Sequence, residues 1–262
     1  MNLCRPDSSK SCAACCGLYN VQDGRSFALN KILVDRTRAI RSIPHSMEAL
    51  VAYADRISLE TEAPIIDPVI HVCEYTGFVD HSFRTVGCML HPNAPDNDGI
   101  DFRGLCHYGS MACNAFYCPA SEDLEDGWAD ILRTLINDWH LYGLVATDIN
   151  YVSALFQLIE LQIGHHLRSD IIFNRFLSDK LLGFFAWKNS WPYSRGSTKR
   201  RSAYYFKREP LLCDEASITR SIIDSLSFTF DISDVSRESQ DFIKQEIRIF
   251  VKAYKQTHGS HD

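Results

Sequence analysis

The sequence lacks several features that would point directly to a functional class. Its formal net charge is −6, so it has no general attraction for nucleic acid or for an anionic membrane surface. The most apolar stretch, 152–163, is interrupted by Gln157, Glu160 and Gln162, so no window offers the roughly 20 apolar residues that cross a bilayer. The polar N-terminus lacks the basic start and apolar stretch of a secretory signal. We therefore expect a cytoplasmic protein with no membrane partner.

Cysteine, in contrast, is abundant and unevenly distributed. The chain has 10 cysteines among 262 residues, and only Cys213 lies in the second half. In a reducing compartment most of them stay as thiols, and thiolates are soft ligands for zinc, iron and iron–sulfur clusters. The distribution predicts a metal site in the first half of the chain, whereas Cys213 is predicted to be a core residue.

Composition also divides the chain into two predicted domains, a Cys-rich metal-binding domain at 1–120 and a helical domain at 121–262. Turn-forming glycine and proline concentrate in the first, where little regular structure is expected. Two helices and a β-hairpin are still predicted there: helices over 29–42 and 46–58, and strands within 69–78 and 82–90. Such a hairpin would place Cys73 and Cys88 on neighbouring strands.

Apolar residues after Pro119 recur at helical spacing. One continuous amphipathic helix is predicted through 128–142. Further helices are predicted over 148–167, 171–185, 214–226 and 236–257, with a connector at 189–207 that includes a short strand at 203–206. The fold class expected is mainly α with a small β hairpin (α+β), and we find no internal repeat.

The spacing of the cysteines suggests metal chelation. In Cys12-x-x-Cys15, a turn lets two thiolates reach one ion at about 2.3 Å each, and two further ligands close a structural zinc site. Cys16 adjoins Cys15, and adjacent side chains diverge, so the third thiol serves a second metal, bridges two metals or packs. The run Cys106-x6-Cys113-x4-Cys118 supplies enough ligands for two sites. Its spacing differs from that of the bacterial ferredoxin motif, and an iron–sulfur cluster stays one of the alternatives.

Other roles compete with metal binding. Free cysteines also behave as small apolar core residues, and a Cys-x-x-Cys pair can act as a dithiol–disulfide redox site. A Cys–His nucleophilic pair is a further alternative, for instance Cys106 with His107 or His91. His71, His91 and His107 lie in the Cys-rich half and could complete a mixed Cys/His zinc shell. For each histidine alone, a surface or hydrogen-bonded role is the simpler interpretation.

These motifs together resemble the YkgJ-type cysteine-cluster proteins, a family described as zinc- or iron-chelating. The resemblance covers about residues 10–120 and rests on Cys12-x-x-Cys15-Cys16, Cys73, Gly87-Cys88-Met-Leu-His91-Pro92, Arg103 and Cys113-x4-Cys118-Pro119. It implies eight ligands: Cys12, Cys15, Cys16, Cys73, Cys88, Cys106, Cys113 and Cys118. The family's usual start has another cysteine three residues before the first of these. Here Cys4 is the only earlier cysteine.

The resemblance implies a metal-binding protein of unknown specific role that chelates zinc or iron, with iron–sulfur included. The alternative is an enzyme or redox protein that uses the cluster, because the flagellin lysine N-methylase joins a similar cysteine cluster to methyl transfer. No glycine-rich loop follows a predicted strand, so the residues themselves give no methyltransferase signal.

One segment mixes basic and aromatic residues in a way that suits nucleic acid. It spans 195–208 and includes Arg195, Lys199, Arg200 and Tyr204. Such a segment can bind phosphates and stack bases. In an acidic protein we favour a solvated basic loop, so nucleic acid is not an expected partner.

Overall fold

The computed structural model describes residues 3–7, 10–59, 64–116, 118–203, 214–233 and 236–259. Within these ranges the fold is mainly α with one small antiparallel hairpin, which confirms the predicted class. The helices are α1 (Ser26–Arg41), α2 (Met47–Leu59), α3 (Gly109–Ala115), α4 (Ala120–Asp123), α5 (Asp126–Leu135), α6 (Trp139–Ala146), α7 (Ile149–Ile163), α8 (Arg175–Ala186), α9 (Glu215–Phe230) and α10 (Arg237–His258). The strands are β1 (Thr76–Phe78) and β2 (Val86–Cys88).

Polar side chains fix where the helices of the second half begin. An oxygen of the N-cap residue accepts a backbone N–H of the first turn in α6 to α10, the caps being Asp138, Asp148, Asn174, Asp214 and Ser236. Helices predicted over 148–167, 214–226 and 236–257 are confirmed. In the first half, the predicted helices at 29–42 and 46–58 are confirmed as α1 and α2, and the Ser46 hydroxyl accepts the N–H of Ala49 at 3.3 Å.

Two of the predicted helices are broken. The single helix expected through 128–142 is wrong, because the chain leaves the helical conformation at Ile136 and α6 starts afresh after Asp138. The Asp138 carboxylate accepts the N–H of Leu141 at 2.7 Å, which stabilises a new helix start at this point. The helix predicted over 171–185 likewise divides at Asn174, into a 3₁₀ turn (Ser169–Phe173) and α8.

The predicted hairpin is confirmed but is shorter than its sequence pattern. Thr76 pairs with Cys88 and Phe78 with Val86 in antiparallel register. Cys88 therefore lies on β2, whereas the prediction that Cys73 lies on the other strand is wrong, because a turn bonds the Thr76 N–H to the Cys73 carbonyl before β1 begins. Of the strand predicted at 203–206, residues 204–206 lie outside the described part, and the expected connector is present up to there.

Buried apolar side chains form two clusters. The main core joins residues of the N-terminal segment and α1 with helices α5 to α10. The smaller N-terminal core lies among α1, α2, the hairpin and the segment that ends at Cys106. The predicted domains 1–120 and 121–262 thus share the main core.

Helix α6 is where the N-terminal segment is bonded to the helical half. The Tyr19 hydroxyl donates to the carbonyl of His140 at 3.0 Å, and the Tyr142 hydroxyl donates to the carbonyl of Leu3 at 2.9 Å. The His140 ring nitrogen Nε2 bonds the carbonyl of Gly24 at 2.7 Å. Three buried hydrogen bonds therefore hold the start of the Cys-rich half against one helix.

A buried ion pair that the sequence analysis does not predict joins the helices of the second half. The Lys188 ammonium lies 2.5 Å from the Asp148 carboxylate and also donates to Thr229 and to the carbonyl of Ser225. Both charged side chains are buried. Because a buried ammonium needs several partners, these bonds fix how α7, α8 and α9 pack.

Among the described residues, no single helix is long and apolar enough to span a membrane. Helices α6 and α7 pass that test of length and composition only as a pair, and they meet at an angle of 81°.

The buried His140 predicts a dependence of stability on pH. Burial lowers its pKa, so in acid the unfolded chain takes up a proton that the folded chain does not. This proton uptake does not occur at high pH. It favours the unfolded chain, and therefore lowers the free energy of unfolding, as the pH falls below about 6.5. We expect the Tm of the wild type to fall more steeply between about pH 7 and pH 5.5 than the Tm of His140→Gln, by a few degrees.

Differential scanning fluorimetry at constant ionic strength measures both slopes. His81→Gln, at an exposed position, controls for the loss of one histidine. Equal slopes for His140→Gln and the wild type would contradict the assignment.

Candidate metal centre

Six cysteines from four separate segments of the chain meet beside the N-terminal core. We name them the six-cysteine group: Cys15, Cys16, Cys73, Cys88, Cys106 and Cys113. Cys16 is its centre, because its sulfur interacts electrostatically with those of the other five. Cys88 interacts in addition with Cys73, Cys106 and Cys113. The sequence left the role of Cys16 open, and the fold puts it in the middle.

A tight turn holds the first two cysteines. Residues Ala14–Cys16 form a 3₁₀ turn bounded by Ala13 and Gly17, both in the left-handed conformation at φ 48° and 74°. A side chain at position 17 would collide with the carbonyl oxygen of His71, so only glycine fits. The segment that follows His71 can therefore pack on the turn, and the Cys73 N–H donates to the carbonyl of Cys16 at 2.9 Å.

The hairpin and its surroundings place Cys73 and Cys88. Cys88 lies directly across the ladder from Thr76, whose buried hydroxyl has no hydrogen-bond partner of ordinary geometry among the described residues. That hydroxyl opposes the rise in the pKa of Cys16. The backbone N–H groups of Tyr75 and Leu90 point at the sulfurs of Cys73 and Cys88 respectively, two residues after each cysteine. Such N–H donors stabilise a thiolate.

The last two members come from the segment after the hairpin. Cys106 is buried at the end of a 3₁₀ turn (Arg103–Leu105), and Cys113 is exposed on α3. Their sulfurs are 3.1 Å apart. Helix α3 has no buried residue, so this side of the group faces solvent and gives a path for a metal ion to enter.

Burial and neighbouring groups raise the pKa of four members of the group: Cys16, Cys73, Cys88 and Cys113. The hydrogen bond with Cys15 and then burial raise the pKa of Cys16 well above its ordinary value. Burial is the largest cause of the raised pKa of Cys73. It is also the largest cause for Cys88 and Cys113, whose pKa values rise to about 12. Neighbouring sulfurs raise all four pKa values further, because thiolates repel one another.

One side chain supplies positive charge to the group. The Arg103 guanidinium interacts with the sulfurs of Cys88 and Cys113. It is held by Asp101, whose carboxylate accepts from Arg103 Nε at 2.9 Å and from Nη2 at 2.6 Å. The Arg103 bonds lower the pKa of Asp101 to about 2, so the guanidinium keeps its partner and its position at neutral pH.

The other described cysteines lie elsewhere. Cys12 and Cys118 group with Cys4 inside the main core, and we name these three the three-cysteine group. The motif Cys12-x-x-Cys15 is thus divided, since Cys12 interacts first with Cys4 and Cys118 and less with Cys16. Left-handed Ala13 reverses the chain between the two halves of the motif. Cys213 lies outside the described residues.

The histidines flank the six-cysteine group. His71 and His107 stack with ring centroids 4.3 Å apart, and His71 Nε2 lies 3.2 Å from a carboxylate oxygen of Glu74. The Nδ1 atom of His91 accepts the backbone N–H of Asn93 at 3.0 Å. Each has a partner other than a cysteine, which fits the simpler interpretation of hydrogen-bonded histidines.

The donor set fits a soft metal ion, although its geometry is not that of a closed site. In the part of the chain that the structure describes, no three Cys, His, Asp or Glu side chains converge closely enough to hold an ion as placed. Thiolates are nevertheless the ligands that soft ions prefer. The N–H donors to Cys73 and Cys88 and the Arg103 guanidinium are groups that stabilise metal-bound thiolates.

The described part of the basic segment 195–208 is occupied by internal contacts. Lys199 pairs with Asp231, and Arg201 lies 3.3 Å from the same carboxylate. Arg200 is buried, donates to the carbonyl of Asn189 at 2.9 Å and stacks on Phe230. These three cations therefore bond within the protein. Residues 204–208 lie outside the described ranges.

The turn at Gly17 yields a test of the site geometry. Gly17→Ala combines a left-handed alanine, which costs about 1–2 kcal/mol, with the collision at His71, so we expect a larger loss of unfolding free energy than from the conformation alone. Gly99→Ala is the matched control, because Gly99 also has a positive φ, of 82°, but no atom within 4 Å of the added Cβ.

Urea unfolding compares the two variants. A cost for Gly17→Ala equal to that for Gly99→Ala would show that the 71–73 segment does not pack on the turn.

Comparison with known proteins identified no relative. No family model, no curated protein and no solved structure matches the chain. The resemblance to the YkgJ-type proteins therefore stays a prediction.

Proposed function

We propose that this protein binds zinc or iron through the six-cysteine group, the iron either as an ion or in an iron–sulfur cluster. The observation that supports it is that Cys16 interacts electrostatically with five other thiols, from segments up to about 100 residues apart in the sequence. Cysteines that served only as apolar core residues would have no reason to meet one another. The proposal includes a cytoplasmic location, where thiols stay reduced.

Four of the six are the best candidates for direct ligands: Cys16, Cys73, Cys88 and Cys106. We call them the inner four, because each is at least partly buried and most pairs among them interact electrostatically. Four thiolates are what a structural zinc site or an iron–sulfur cluster takes. Cys15 and Cys113 are exposed and lie at the rim, where they can pass a metal ion inward.

A bound cation would change the charge balance of the inner four. It would favour the thiolate forms of Cys16, Cys73 and Cys88, whose pKa values are raised in the folded chain. The N–H groups of Tyr75 and Leu90 would stabilise the sulfurs of Cys73 and Cys88, and Arg103 would offset part of the remaining negative charge. Metal binding would then add to folding stability around the N-terminal core, where regular structure is sparse.

A second candidate function, thiol–disulfide exchange, is favoured by one distance. The Cys106 and Cys113 sulfurs are 3.1 Å apart, and Cys113 is exposed. An incoming disulfide would be reduced to two thiols as these two cysteines lose two protons and two electrons to form a disulfide. This function predicts metal-free native protein in which Cys106 and Cys113 are linked.

Elemental analysis of native protein tests the proposal. We expect protein purified anaerobically to contain zinc or iron at about one site per chain or more. Cys88→Ser should lose most of that metal, because serine is a poor ligand for a soft ion. Cys15→Ser, at the rim, should retain most of it, and Cys213→Ser is the control at a cysteine that the sequence places outside the site.

Inductively coupled plasma mass spectrometry, sulfide assay and visible absorption distinguish the metals. Colourless protein with zinc indicates a closed zinc site, whereas brown protein with iron and sulfide indicates an iron–sulfur cluster. Protein with neither metal and with all thiols freely reactive in the folded state would refute the proposal.

A further inference from the structure

A groove of about 330 Å³ lies between helices α8 and α10, in the helical half of the molecule. One face of α8 lines it, because the contributing residues recur three or four positions apart, among them Phe176, Asp179, Lys180, Gly183 and Trp187. Helix α10 contributes Glu246. Grooves of this size hold a small organic molecule. This one shares no residue with the six-cysteine group, so its role is separate from the proposed metal site.

Gly183 is a glycine that none of its described neighbours requires. It lies within α8, where glycine lowers helix stability relative to alanine because it loses more conformational freedom on folding. A Cβ atom added at this position would meet no atom of the described residues within 4 Å. The missing side chain therefore leaves room beside the helix that these residues do not fill. Glycine is the usual residue where a ligand approaches the backbone closely.

Aromatic side chains give the groove an apolar wall. Trp187 is buried and packs on Phe184 with ring centroids 5.0 Å apart. Phe176 is 50% exposed, so it presents aromatic surface that the described residues leave uncovered. Aromatic rings attract cations to their faces, and the attraction strengthens where water is excluded.

The charged side chains leave the groove with an excess of negative charge. Lys180 Nζ lies 2.9 Å from a carboxylate oxygen of Glu246, and this half-buried pair joins the two helices across the groove. Asp179 lies 3.8 Å from Arg175, and both side chains are largely exposed. A pair at such exposure contributes little, so the Asp179 carboxylate is free to bind another cation. Two carboxylates and one ammonium therefore line the groove.

We propose that this groove binds a small organic cation with an aromatic or other apolar body, such as a substituted ammonium ion. The apolar body would lie beside Gly183, where the missing Cβ makes room for it. The cationic group would be attracted to the Phe176 ring and to the Asp179 carboxylate. An anion would instead meet two carboxylates and a lysine that Glu246 already neutralises.

NMR titration of the full-length protein with benzylammonium tests the site, with the backbone amides and the tryptophan indole N–H groups as reporters. We expect saturable shifts at Gly183 and Trp187. Gly183→Leu should weaken binding at least about tenfold, because its side chain fills the room beside α8. Asp179→Asn should weaken it about two- to fivefold through the loss of one exposed charge.

Gly127→Leu is the matched control. Gly127 is also an exposed helical glycine with no atom within 4 Å of an added Cβ, but it lies on α5, outside the groove. This variant should bind benzylammonium as the wild type does. Equal affinities of Gly183→Leu and Gly127→Leu, or no saturable binding by the wild type, would overturn the site.

Two ligands of similar size separate recognition of the cation from binding of the ring. Benzyl alcohol should bind at least about fivefold more weakly than benzylammonium, and benzoate more weakly still. Equal or tighter binding of either would overturn the choice of a cation. If Gly183→Leu fails to fold, Phe176→Leu replaces it, because it changes a half-exposed side chain. It should weaken benzylammonium binding more than benzyl alcohol binding, and equal weakening would contradict the proposal.

Discussion

Thiols that meet from four segments of one chain repel one another once they ionise, and a cation is what relieves that repulsion. Burial, and then neighbouring sulfurs, raise the pKa of Cys73 and Cys88, and the hydrogen bond with Cys15 together with burial raises that of Cys16, which favours the neutral thiols at these three positions. Arg103 supplies one charge from the side. A metal ion at the centre would supply the rest, and the irregular chain around the N-terminal core would gain stability from it.

The buried apolar residues form two cores that are stabilised in different ways. The main core is rich in helices, has capped helix ends and contains the Lys188–Asp148 ion pair, so it is stable through packing and hydrogen bonds. The N-terminal core is smaller and is bounded by loops, a hairpin of two three-residue strands and the six-cysteine group. Helix α1 contributes buried residues to both cores, Leu29 and Leu33 to the main core and Ile40 to the N-terminal core, and so joins the two. The site therefore rests on a rigid helical body while its own surroundings depend on turns.

The sequence predicts those parts of the fold that depend on local pattern. Helical spacing and capping residues located α1, α2, α7, α9 and α10, and the hairpin followed from β-branched and aromatic residues. The break at 136–138 escaped prediction because Ile136 and Trp139 keep the helical period across it. The division of Cys12 from Cys15 escaped for a similar reason: spacing does not reveal that Ala13 is left-handed. Cysteine counts predicted a site, but only tertiary contacts sorted its members.

The most direct test of the account is anomalous X-ray diffraction from crystals of natively purified protein, with data on both sides of the zinc and iron absorption edges. We expect an anomalous peak bonded to the sulfurs of the inner four, Cys16, Cys73, Cys88 and Cys106, at metal–sulfur distances of about 2.3 Å. Crystals of protein never exposed to chelator that show no peak there, with the four sulfurs apart and protonated, would contradict it.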